Sequence, residues 1–125
     1  VYSGGCGNAL VGLAGPNLAN SDFDVTLRGA DASSVAVLLV GLSSRPPLDI
    51  AAYGLTPGCY LVVDSFATVF AVTDSAGAAA FPARLPSLVS ASGTPAVRFY
   101  WQWAVLDAMP AVTEMTPGLE TVFHN

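Results

Sequence analysis

Apolar residues along this chain either alternate with polar ones or run in short stretches, and Gly, Pro, Asn, Asp or Ser interrupts them every roughly 8–12 residues. No stretch sustains the helical period of about 3.6 residues, so the pattern predicts strands. Phe23, Val25 and Leu27 alternate with Asp24, Thr26 and Arg28, which is a half-buried strand with one wet face. Residues 29–34 supply a turn. Residues 35–40 are apolar at every position and rich in β-branched side chains, as expected of a central strand covered on both sides. Arg45-Pro46-Pro47 is expected to end it. Residues 48–55 read as irregular with at most one short edge strand, and residues 60–63 as the next strand.

Residues 66–73 and 78–84 flank Asp74-Ser75-Ala76-Gly77, which reads as a hairpin turn with Gly77 at positive φ. Pro82 and Pro86 place the second arm at a sheet edge, because proline cannot donate to a ladder. Residues 97–106 form the longest predicted strand and residues 119–123 the last. Ala78-Ala79-Ala80 is too short to nucleate a helix. The expected architecture is one all-β domain over residues 1–125, an antiparallel β-sandwich of Greek-key or jelly-roll type with about seven or eight strands.

Composition narrows the function. Of 125 residues, 53% are hydrophobic and 10% charged, where ordinary soluble domains carry about a quarter charged. Part of the apolar surface is therefore expected to meet a partner. Nine acids against four basic residues give a net charge of −5, the wrong sign for a phosphate backbone, so nucleic acid is set aside. No apolar run approaches the roughly 18 residues of a membrane helix. Lysine is absent, which removes Schiff-base chemistry and lysine isopeptide bonds. The chain starts at Val1 rather than Met, so a signal peptide or a preceding domain is expected to have been removed.

Cys6 and Cys59 each stand beside glycines, in Gly5-Cys6-Gly7-Asn8 and Pro57-Gly58-Cys59. That setting suits a disulfide whose neighbouring backbone bends closely past it, with two buried thiols as the other arrangement. A bridge implies an oxidising, secreted or cell-surface address.

Catalytic signatures are missing. The one histidine, His124, sits next to the C-terminus, a poor place to hold a base against a nucleophile. Metalloprotease, hydrolase-elbow and phosphate-loop motifs do not occur. The chain is thus expected to be no enzyme, to use no cofactor and to need no metal. Asn20, Asp22 and Asp24 alternate into a strand and could together offer oxygen ligands to Ca²⁺, but the spacing is a weak signal and a polar loop followed by an outward strand residue is the better account of them.

The aromatic run at residues 99–103 puts Phe99, Trp101 and Trp103 on one strand face and Tyr100 on the other. Such a row either fills a sandwich core or stacks on sugar rings. Here the chain resembles a family of secreted bacterial β-sandwich modules, through Gly5-Cys6-Gly7-Asn8, Pro47-Leu48-Asp49-Ile50, Pro57-Gly58-Cys59-Tyr60-Leu61-Val62-Val63-Asp64, Thr73-Asp74-Ser75-Ala76-Gly77 and Tyr100-Trp101-Gln102-Trp103-Ala104-Val105-Leu106-Asp107. The resemblance implies an extracellular or periplasmic address and a structural Cys6–Cys59 bridge. It implies no activity. Trp101 is larger than the residue such modules carry there, which points to a contact particular to this protein.

Two functions are weighed on these residues. The first is a secreted, non-enzymatic structural subunit that associates with copies of itself in a filament or surface assembly, by strand exchange through a terminus. Tyr2 in the N-terminal arm and Val122 and Phe123 at the other end are its contact candidates. The second is a carbohydrate-binding or adhesive module that presents Tyr100, Trp101 or Trp103 to a glycan.

Overall fold

The computed structural model describes residues 5–16, 22–50, 59–84, 97–107 and 112–123. They form eight strands: β1 (Leu10–Ala14), β2 (Asp22–Arg28), β3 (Val35–Asp49), β4 (Tyr60–Val72), β5 (Ala79–Arg84), β6 (Val97–Leu106), β7 (Val112–Met115) and β8 (Leu119–Phe123). All pairings are antiparallel. The smaller sheet has the order β1-β2-β5; the larger runs β4-β3-β6, with β7 and β8 sharing the far side of β6. The chain therefore changes sheet three times, between β2 and β3, β4 and β5, and β5 and β6.

The period-two pattern explains the core. Phe23, Val25 and Leu27 of β2 face Ala36, Leu38 and Val40 of β3, Trp101, Trp103 and Val105 of β6, and Phe123 of β8 across one sandwich interior. Each fully buried large side chain contributes about 1.5–3 kcal/mol relative to leaving it in water. A smaller cluster of Ile50, Cys59, Ala104 and Met115, flanked by Leu39 and Leu61, lies on the other face of the larger sheet. The Cys6–Cys59 disulfide joins it, with 5.0 Å between the Cα atoms. Cys6 also pairs with Met115 through two backbone hydrogen bonds, of 2.7 and 3.2 Å. A disulfide in a small β domain fits an oxidising setting.

Four details differ from the strand expectations. Arg45-Pro46-Pro47 does not end β3; the strand continues to Asp49, and the register slips between Ser44 and Leu48. Three β3 residues there oppose one β4 residue, so the prolines fall in a bulge where a missing N–H breaks no ladder. Residues 60–63 and 66–73 are parts of one strand, β4. The central strand β3 is central in pairing, yet only one of its faces lies inside the sandwich, and Val35 is 42% exposed. At 15 residues, β3 also exceeds β6 in length.

Finally, the turn after β4 is not a hairpin. It carries the chain from the larger sheet to the smaller, since β5 pairs with β2. This arch is stitched to the turn after β2. Thr73 Oγ1 donates to the Asp31 carbonyl at 2.7 Å and accepts from the Ser34 N–H at 2.8 Å. Gly77 does take the positive φ expected of it (77°), and a side chain there would overlap the Ala30 carbonyl. Asp74 Oδ1 accepts hydrogen bonds from the Ala78 and Ala76 N–H groups at 3.0 and 2.8 Å. Those bonds, Ala78 first, hold the Asp74 carboxyl below its ordinary pKa of 3.8.

A pH dependence follows. A folded-state pKa lowered relative to the unfolded chain gives stability that is present above the ordinary value and lost as pH falls through the folded one. The stability advantage of the native protein over Asp74→Asn is expected to shrink as pH is lowered from about 5 toward about 2. Paired denaturant titrations across that range check it, and a pH-independent difference would contradict the bonding described.

Candidate functional site

The sequence-predicted site residues separate into three groups. Trp101 and Trp103 lie in the core, 3% and 0% exposed. The Trp101 ring meets Phe23 edge-on at 6.1 Å and Phe99 at 5.7 Å, and its Nε1 donates to Thr121 Oγ1 at 2.8 Å. The Trp103 Nε1 is buried without a hydrogen-bond partner among the described residues. Neither indole can lie flat against a sugar, which takes Trp101 and Trp103 out of a glycan platform: both rings pack inward with Phe23, Ala36, Leu38 and Phe123. Tyr100 faces the other way and is half-buried, opposite Gly41 and Glu120.

The C-terminal contact candidates lie in a strand of the domain's own larger sheet. Val122 and Phe123 belong to β8, which pairs with Val97–Trp101 of its own chain through Val122↔Arg98 and Phe123↔Val97. Phe123 is fully buried against Phe23, 4.9 Å between ring centroids. Donating this strand to a neighbour would open the core. Tyr2, Asn20 and His124 lie outside the described residues. Asp22 faces Arg84 across β2 and β5, 3.5 Å away on an exposed surface. Among the described residues no three His, Cys, Asp or Glu side chains converge as metal ligands do.

What the structure does bring together is an edge. β4 has β3 on one side, and among the described residues no strand pairs with its other side. The register from Val35↔Val72 to Val40↔Ala67 is unbroken. Ala67, Val69 and Ala71 point toward the core. The alternate positions therefore point out, and Phe66, Phe70 and Val72 are 63%, 69% and 67% exposed. Phe66 is the extra residue of a bulge, since Val40 pairs with Ala67 and Gly41 with Ser65. Bulges re-aim side chains. Phe66 and Phe70, four residues apart, are both exposed to solvent.

The remaining edges carry the features that block strand addition. β5 contains Pro82 and ends at Arg84. β1 is five residues long and includes Gly12. β7 and β8 are separated by Thr116, Pro117 and Gly118. β4, by contrast, is 13 residues long and carries neither proline nor a basic residue, and Asp64 is its single charge. Beside it the outer face bears an apolar groove of about 460 Å³ lined by Leu39, Leu61, Thr68, Ala104, Val112 and Met115.

Sequence reasoning placed residues 66–73 on a strand but not at an exposed edge. The signal was present in the alternation of large Phe66 and Phe70 with small Ala67 and Ala71, an inversion of the usual large-inside arrangement. No family model, curated protein or solved structure matches this chain.

Proposed function

We propose that this protein is a secreted, non-enzymatic structural subunit that associates with copies of itself in an extracellular assembly, using the β4 edge rather than a terminus. The single observation behind the reading is that edge: a long strand, in unbroken register with β3 over residues 67–72, with Phe66, Phe70 and Val72 turned to solvent, where the other edges among the described residues carry blocking features. Exposed, flat, hydrophobic edges are templates for strand pairing, and natural monomers cover or charge them. The charge-poor surface and the disulfide support the same reading, because repeated contacts outside the cell favour a rigid, weakly charged unit. The resemblance to secreted β-sandwich modules is consistent with that address.

Sedimentation of the native protein over a concentration series is the test, with electron microscopy of the heaviest fraction. The native chain is expected to associate, and Phe70→Lys to remain folded while weakening association on the order of 100-fold, the equivalent of losing one buried aromatic side chain. A native chain that stays monomeric throughout would overturn the proposal. So would a Phe70→Lys variant that assembles like the native protein.

A further inference from the structure

Self-association at β4 leaves the partner strand and its register open, and the residues of the edge narrow both. Residues 66–70 read Phe66-Ala67-Thr68-Val69-Phe70, in which the faces alternate symmetrically about Thr68 and the outward residues on either side of it are both phenylalanine. Phe66, Thr68 and Phe70 point outward while Ala67 and Val69 point to the core. An antiparallel strand laid on this edge places residue against residue with like faces together. A second copy of the same segment, turned by a two-fold axis through Thr68, satisfies that condition at each position.

We infer that two copies of this chain pair β4 against β4, antiparallel and centred on Thr68, so that the larger sheets of two domains become one continuous sheet. This rests on the self-associating reading above and adds its geometry. In this register Phe66 of each copy lies opposite Phe70 of the other, giving two aromatic cross-strand pairs, and the two Thr68 hydroxyls meet at the axis. Aromatic pairs and threonine pairs are among the favourable cross-strand combinations, each contributing a fraction of the contact.

Charge excludes two competing registers. β4 carries one ionised side chain, Asp64. Centred on Thr68, the pairing sets Asp64 against Val72 of the other copy. Centred on Asp64 it would set two carboxylates face to face, and centred on Val69 it would bring Asp64 opposite Asp74. Like charges directly opposed across a ladder destabilise it. Pairing β4 with another edge of a second copy meets Pro82 on β5, the short β1, or the interruption between β7 and β8.

The symmetry has a consequence for assembly. A two-fold contact uses the same patch on both partners and closes on itself. The β4 pair is therefore a dimer, and any longer assembly repeats that dimer through a second, different surface.

Site-directed cross-linking reads the register directly, because both native cysteines are held in the disulfide and the described residues offer no other thiol. Thr68→Cys, with an exposed side chain, is expected to give a covalent dimer with a short bismaleimide. Phe66→Cys alone and Phe70→Cys alone are expected to give little, since each thiol would sit about 13 Å along the strand from its own copy. Mixing those two variants is expected to restore the covalent dimer, and this second measurement guards against a misfolded Thr68→Cys. If the protein associates in sedimentation but neither Thr68→Cys nor the mixture cross-links, the β4 register is wrong while self-association stands. If it does not associate at all, both fail.

Discussion

Reducing the Cys6–Cys59 bridge is expected to lower the stability of the domain by about 4 kcal/mol, from the loss of loop closure over the intervening chain. The two cysteines are 53 residues apart in sequence, and a cross-link of that span removes much of the freedom of the unfolded state. Typical domains hold only about 5–15 kcal/mol in total, so the bridge supplies a large share. Its placement concentrates the effect. Cys6 belongs to the arm that pairs with Met115, and Cys59 is the fully buried residue leading into β4. The bridge thus ties the entrance of the edge strand to the far side of β6. Guanidinium titrations with and without reductant check the figure, and a change below about 1 kcal/mol would show that the unfolded chain is already constrained without the bridge. The Cys6→Ala, Cys59→Ala double variant is expected to lose somewhat more, because Cys59 also packs with Ile50, Ala104 and Met115.

The strands that were easiest to read from sequence are those whose pattern reports a single physical constraint. β2 alternates cleanly because one face is wet, and β6 and β8 fall on the residues expected of them, since each is bounded by turn-forming residues. The fold class followed from the same signal. β3 and β4 were misjudged because proline and a change of alternation look like termini when read locally. Both are bulges, where the opposite strand supplies the explanation: Val62 alone faces Arg45, Pro46 and Pro47, and Ser65 and Phe66 face the step from Val40 to Gly41. The turn at Asp74 shows a further limit. Its chemistry was legible, down to the positive φ of Gly77, but an arch between sheets and a hairpin within one use the same turn residues. Which neighbour β5 chooses is a long-range matter, decided by Val25 opposite Phe81 and Leu27 opposite Ala79.

The candidate site was less legible still. Aromatic residues drew attention at 99–103, where a tryptophan is simply a large core filler, and drew none at Phe66 and Phe70. Both strands alternate equally well, and alternation says which residues share a face without saying which face is inside. The discriminating fact is the size of the other set. Ala67 and Ala71 fit beneath the smaller sheet, whereas phenylalanines there would overfill a packed interior.

Gln102→Leu is expected to cost about 4 kcal/mol although it conserves size and replaces a polar core residue with an apolar one. Gln102 is fully buried and stands in β6 opposite Leu39. Its Oε1 accepts from the Val62 N–H at 3.1 Å, and its Nε2 donates to the Tyr60 carbonyl at 2.8 Å and to the Thr116 carbonyl at 3.0 Å. The need for it arises in β3. Where Arg45-Pro46-Pro47 bulges away, the ladder to β4 is interrupted, and the amide reaches the β4 backbone in its place. On its other side the same amide holds the break between β7 and β8, where Thr116 also exchanges hydrogen bonds of 3.0 Å with the Trp103 backbone. Leucine makes none of these bonds and takes one hydrogen bond from each of three backbone groups; where such a group stays buried and unpaired the loss costs about 1–3 kcal/mol. Denaturant unfolding of Gln102→Leu beside Leu39→Ala separates polar stitching from packing. A loss under about 1 kcal/mol for Gln102→Leu would mean that the backbone finds other partners. Hydrogen exchange supplies the local reading: protection at residues 60–63 is expected to fall while residues 67–72, held by an unbroken register with β3, keep theirs. Gln102 holds β4 at one end and β3 holds residues 67–72, so on the proposed β4 pairing the variant is expected to impair self-association less than it impairs folding.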